Sequence, residues 1–156
     1  GVPDRLEFVG TFQGITFYDD AISTTPESTI AALNALPRVD TVFLGGLDRG
    51  YDFTELEREL HHHQIKNIVL FPNSGKKILP SPKGFSHVRE TNSMQKAVQF
   101  AYAYTPSGGV CLLSTASPSY SVWKNFEEKG REFQKWVRFY GIKGSKIHVE
   151  KKQKSV

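Results

Sequence analysis

The chain has 156 residues, 38% of them hydrophobic, with 11 Phe, 6 Tyr and 2 Trp; that is enough for one domain with a substantial core and too apolar for a disordered chain. The formal net charge is +4, yet residues 143–156 hold five Lys against one Glu, so residues 1–142 are balanced and a nucleic-acid partner finds little support. A single cysteine, Cys111, excludes an intrachain disulfide, and no stretch approaches the roughly 20 apolar residues of a membrane span, so no membrane partner is expected either.

Cys111 lies in an apolar run and reads as a buried thiol of a reducing compartment. Residues Gly1 to Leu6 lack signal-peptide character, so the chain reads as cytoplasmic. The missing initiator Met reads as a processed or excised piece.

Leu6 to Phe12 alternates partly, as a half-buried strand does, and Gln13-Gly14 turns it into a hairpin partner, Ile15 to Tyr18. Pro26 to about Leu36 reads as a helix with Pro26 at its first position and Thr25 as N-cap. Ile30 and Leu33 are its expected inward residues, with Ala31 or Asn34 beside them. Val39 to Leu44 is a strand ending in the tip Gly45-Gly46-Leu47-Asp48-Arg49-Gly50. A helix follows from Phe53 to His62, with Phe53, Leu56 and Leu60 on one stripe and Asp52 and Glu55 spaced for a capping box. Ile65 to Phe71 is the next strand, Pro72 to Gly75 its exit, with a short helix through Ile78 and a short strand at Phe85 to Val88. Ser93 to Tyr104 reads as a helix with Met94, Ala97, Val98 and Ala101 inward. Val110 to Leu113 is an apolar strand, and the last helix runs from about Trp123 to Tyr140. Residues 1–142 form the expected domain; 143–156 are a basic tail, frayed beyond Gly144.

Apolar strands alternating with helices of ten or so residues predict an α/β fold. Its sheet is mostly parallel, covered on both faces, with an N-terminal hairpin. Three strand ends are rich in hydroxyls, carboxylates or glycine: Asp19–Thr25, Gly45–Gly50 and Ser114–Tyr120. In a parallel sheet they open on one edge, and together they suit a small anionic metabolite or a nucleotide phosphate. Gly45 to Gly50 lacks the spacing of a Walker A loop, and no Ser or Thr follows Gly75-Lys76-Lys77. His61-His62-His63 stands at a helix end, where consecutive side chains diverge, so no metal site is expected.

Four stretches now carry a resemblance. Asp4–Gly10 (D-R-L-E-F-V-G), Phe17–Leu33 (with D-D-A-I-S-T-T-P-E-S-T), Phe43–Phe53 (F-L-G-G-L-D-R-G-Y-D-F) and Leu112–Phe133 (L-L-S-T-A-S-P-S-Y-S-V-W-K-N-F-E-E-K-G-R-E-F) resemble, in the same order, the C-terminal domain of the Mur ligases. The glutamate-adding branch is the most similar. The resemblance implies a Rossmann-like three-layer domain, the third of three. The first binds a UDP-sugar, the central one holds a P-loop and Mg2+, and the third brings the incoming amino acid and closes over ATP. It implies an ADP-forming acid–amino-acid ligase, in which ATP activates a carboxylate as an acyl phosphate that the amine of glutamate attacks. Glutamate and UDP-N-acetylmuramoyl-L-alanine are the implied partners, the latter through domains outside this chain, which alone is expected to be inactive. The alternative is a stand-alone small-molecule-binding or regulatory module.

Carried over by position, Arg5 and Asp20 are nucleotide-binding. Thr24, Arg49, Ser119, Tyr120 and Phe126 bind the amino acid, and no residue here is catalytic or metal-ligating. Arg49 stands where a lysine is usual, and its guanidinium can meet a carboxylate with two bonds. Asp4 stands where histidine is usual. Ile22 replaces a lysine of the familiar D-S-K-A-T-N string, a variant form in which L-glutamate is the expected alternative to D-glutamate.

Overall fold

Gln13 and Gly14, with φ of 52° and 78°, turn strand β1 (Glu7–Phe12) back onto β2 (Ile15–Asp19), as two-residue hairpin loops with two positive φ values do. The computed structural model describes residues 6–119 and 122–154, with side chains through 144. Beyond the hairpin come α1 (Pro26–Ala35), β3 (Thr41–Gly45), α2 (Thr54–His62), β4 (Asn67–Phe71), α3 (Gly75–Ile78), β5 (His87–Glu90), α4 (Met94–Tyr104), β6 (Val110–Leu113) and α5 (Phe126–Lys154). The sheet order is β1-β2-β6-β3-β4-β5. Only the β1–β2 pair is antiparallel.

Period-two alternation divides the core. Phe17, Phe43, Val69, Phe71, Cys111 and Leu113 point to the face covered by α4 and α5. Val42, Leu44, Ile68, Leu70 and Leu112 point to the face covered by α1, α2 and α3. The result is the three-layer α/β sandwich that the hydrophobic pattern predicts. Phe133 of α5 fixes the first face: its ring lies 6.2 Å from Phe17 and 5.6 Å from Phe43, both edge-on, a favoured aromatic geometry. No helix among the described residues is long and apolar enough to cross a membrane.

Several elements differ from their sequence reading in detail. Helix α1 buries Pro26, Thr29, Ala32 and Leu33, leaving Ala31 and Asn34 exposed. Counted from Pro26, the i+3 and i+7 positions face the sheet and i+5 and i+8 do not. Thr25 caps it as expected, and Ser28 completes a capping box. The capping box at α2 does not form. Phe53 is drawn into the core and becomes the N-cap with no side-chain bond, while the Asp52 carboxylate, one residue too early, accepts from Thr54 N at 2.9 Å. Strands β3, β4 and β5 each start two residues later than read, because Val39 and Ile65 are buried lead-ins without a paired neighbour strand. Trp123 precedes α5, edge-on to Phe71 at 4.9 Å. Helix α5 continues through 143–154, the stretch read as a frayed tail; its Lys, Glu and Gln residues are good helix formers, and two glycines do not suffice to stop it.

Candidate functional site

The chain leaves β2 for β3, moves outward through β4 and β5, then returns to fill the place between β2 and β3 with β6. Helix α2 follows β3 on one face and α5 follows β6 on the other, so the tips of β3 and β6 flank the switch point where open α/β sheets bind ligands. The loops leaving these two tips are sewn together. Gly45 N donates to Thr115 O and Leu47 N to Pro118 O, both at 2.8 Å. A Cβ on Gly46 would collide with Pro118 O, and one on Gly45, at φ 104°, with Phe71 O. Glycine is therefore required at both positions for this close approach. Ser74, fully buried at the foot of α3, joins both loops: its Oγ accepts from Gly46 N at 2.9 Å and lies 2.6 Å from Ser117 Oγ. Arg49 and Ser119 thus stand on adjoining loops of one edge.

Within this frame Arg49 is exposed and makes no ion pair among the described residues. Its neighbour Asp48 holds the turn, accepting from Gly50 N at 2.9 Å and pairing with Lys77 at 2.5 Å; the Lys77 bond, then Gly50 N, lower its pKa. Ser119 is only 4% exposed, and its Oγ has no hydrogen-bond partner among the described residues, although its carbonyl accepts from Val122 N and Trp123 N. A buried hydroxyl left unsatisfied is uncommon in a folded core and common where a ligand completes the bond. Ala116, three residues earlier, sits at φ 59°, a conformation costly for a residue with a Cβ and found often at functional loops.

The β2 tip holds the two neighbouring carboxylates apart. Asp19 Oδ1 accepts from Ala21 N at 2.9 Å, and Oδ2 accepts from Gln134 Nε2 at 2.7 Å, the same nitrogen that donates to Glu7. Burial raises the Asp19 pKa, and the Gln134 and Ala21 bonds oppose it. Asp20 is 1% exposed; its Oδ2 accepts from Ser23 Oγ at 2.5 Å and Ser114 Oγ at 2.7 Å, tying β2 to β6. Thr24 is half-buried between them and the Thr25 cap. Phe126, first residue of α5, lines a cavity of about 350 Å³ with Glu7, Asp19, Ile22, Gly130 and Arg131. Thr24, Arg49 and Ser119 do not line that cavity. Arg5 and Tyr120 lie outside the described residues.

Sequence reasoning includes Ser114 and Thr115 only as part of the Ser114–Tyr120 tip and passes over Ser74, Gln134 and Lys129. The last had a legible signal: it falls three after Phe126 and four before Phe133, on the buried stripe of α5. Its side chain is fully enclosed and its Nζ donates to Thr115 Oγ1 at 2.6 Å. Burial lowers its pKa to about 8, against the pull of Asp19 and Asp20. No group of three or more His, Cys, Asp or Glu among the described residues could hold a metal ion. His61 packs against Phe85, ring centroids 4.6 Å apart and tilted by 36°, while His63 turns to Asn34 and Glu59.

The fold is an α/β domain of the kind found in MurF ligase of Thermotoga maritima in complex with ADP, whose structure aligns at TM-score 0.57 over 90% of this chain and 32% of that one, at 18% identity. No protein-family model matches the chain. Over 141 residues it is 34% identical to UDP-N-acetylmuramoylalanine–D-glutamate ligase of Aquifex aeolicus, covering 90% of this chain and 34% of that protein. Over 141 residues it is also 38% identical to UDP-N-acetylmuramoyl-L-alanine–L-glutamate ligase of Salinispora tropica, covering 88% and 31%. The chain belongs to the Mur ligase family, as its C-terminal domain, and it spans about a third of the length of these curated relatives.

Proposed function

We propose that this chain is the amino-acid-binding domain of an ATP-dependent ligase that joins glutamate to UDP-N-acetylmuramoyl-L-alanine in peptidoglycan precursor synthesis. The observation that carries the reading is the pair of sewn loops at the switch point, one bearing Arg49, which has no ion pair among the described residues, and the other Ser119, whose enclosed hydroxyl has no partner among them. Both groups suit a dicarboxylic amino acid. The names of the relatives support glutamate as that amino acid.

In this reading Arg49 pairs with the side-chain carboxylate of glutamate, while Ser119, Tyr120 and Thr24 hold its backbone end. Phe126 walls the adjoining cavity. Arg5 and Asp20 reach the nucleotide, and a ribose at Asp20 shares the carboxylate with Ser23 and Ser114. The acceptor carboxylate takes the terminal phosphoryl group of ATP, leaving ADP. The glutamate amine then attacks the acyl carbon, phosphate departs, and the amine sheds its proton to give the amide. The role of this domain is to place that amine. The P-loop and Mg2+ of the family belong to the central domain.

Ile22, 41% exposed on the cavity rim, supplies no cation where the familiar string has lysine, and one of the two relatives is an L-glutamate ligase. Other matching relatives are named for D-glutamate, so D-glutamate is the leading substrate and L-glutamate its alternative. The test joins this segment to its native upstream domains and follows phosphate release with UDP-N-acetylmuramoyl-L-alanine and each enantiomer of glutamate. Release that needs neither enantiomer overturns the proposal.

A further inference from the structure

Lys129 is buried without being at the ligand surface. Taking an ammonium group out of water is expensive, and a methionine of similar length fills the same space without that penalty. What distinguishes the lysine is what it touches. Its Nζ donates to Thr115 Oγ1 at 2.6 Å, and Thr115 Oγ1 donates on to Ser117 O at 3.1 Å. Thr115 O receives Gly45 N, and Ser117 Oγ meets Ser74 Oγ, which receives Gly46 N. One line of bonds therefore runs from α5, through the β6–α5 loop, to the tip of β3. Ala116, the residue with positive φ, is held between two members of that line. On the other side Asp19 and Asp20, from the tip of β2, balance the charge.

We infer that Lys129 is a positioning residue, tethering Thr115 so that the loop from Thr115 to Ser119 keeps the shape that presents its hydroxyl and carbonyl groups to the incoming amino acid. Nζ is enclosed, so it acts through Thr115 and never on the ligand. A hydrogen bond from a charged donor is strong enough to hold a loop in a conformation its own backbone disfavours. The inference rests on the ligase reading for its functional consequence, and on the bond network alone for its structural one.

Two variants test it in the enzyme completed by its upstream domains. Lys129→Met removes the donor; Thr115→Val removes the acceptor and keeps the buried charge with its two carboxylates. Each is expected to raise KM for glutamate about tenfold or more with kcat changed less than about threefold, and the double variant to go no further than Thr115→Val, which already lacks the bond that Lys129→Met breaks. A lysine that only supports the core lowers Tm and kcat and leaves KM where it was; that result overturns the inference. If the unmutated enzyme shows no glutamate-dependent turnover, the ligase reading fails, and the tether is judged on this chain by amide exchange. Exchange across 115–119 in Thr115→Val is then expected to quicken about tenfold, and protection equal to the parent overturns the tether itself.

Discussion

Arg49 and Lys129 show how differently two cations serve one edge. Arg49 stands in water on a turn that Asp48 holds rigid, so its guanidinium meets a carboxylate without first leaving a partner. Once upstream domains close over it, truncation strands that carboxylate away from water. Arg49→Ala is expected to cost roughly 2–4 kcal/mol, read as a roughly 30- to 1000-fold rise in KM for glutamate; an unchanged KM assigns the carboxylate to another residue. Lys129 makes itself felt in the pH dependence of stability as well as through its tether. Its folded pKa is about 8 against 10.5 when free, so between those values the unfolded chain holds the extra proton. Stability therefore rises with pH across that window and is lost again as pH falls back through about 8. Urea denaturation should show wild type gaining ~3 kcal/mol relative to Lys129→Met between pH 8 and 10.5. Parallel curves for the two proteins would mean that the lysine is hydrated.

Helix α5 is held to the sheet chiefly by the ring of Phe133 between Phe17 and Phe43. Phe133→Ala leaves a ring-sized void that rigid strands cannot close, and about 3–5 kcal/mol of unfolding free energy should go with it; denaturant melts of the chain read this directly. At α1 the Thr25–Ser28 box satisfies two first-turn amides, and Thr25→Ala should lower stability by about 1 kcal/mol with little change in fold, as measured by the same melts and by circular dichroism. These elements were legible because their signals are local. The apolar runs of β3, β4 and β6, the Pro26 start and the α4 stripe of Met94, Ala97, Val98 and Ala101 follow from short-range geometry. The cap at Asp52 was misread because the demand of the core for Phe53 outweighs a propensity. The loops at the edge were legible as polar tips, whereas the link through Ser74, 28 residues from Gly46 and 43 from Ser117, has no local signal. Only the fold brings those serines together.

At the scale of the molecule, the strand order places the loops of β3 and β6, proposed above to grip the amino acid, on one edge, and in that proposal the phosphate chemistry falls to other domains. This chain by itself should release no phosphate from ATP with any glutamate, and should support release when rejoined to its upstream domains; turnover by the chain alone would overturn that division of labour. The bonds from Gly45 and Leu47 to Thr115 and Pro118 carry a consequence for anyone redesigning the enzyme for a new amino acid. Residues 45–50 transplanted alone from a relative would arrive facing the wrong carbonyls, and residues 114–119 alone would find no glycines to lie against. Specificity here is inherited as a matched pair, so chimeras should exchange both segments together with Ser74, and libraries that randomise one side should yield few active clones.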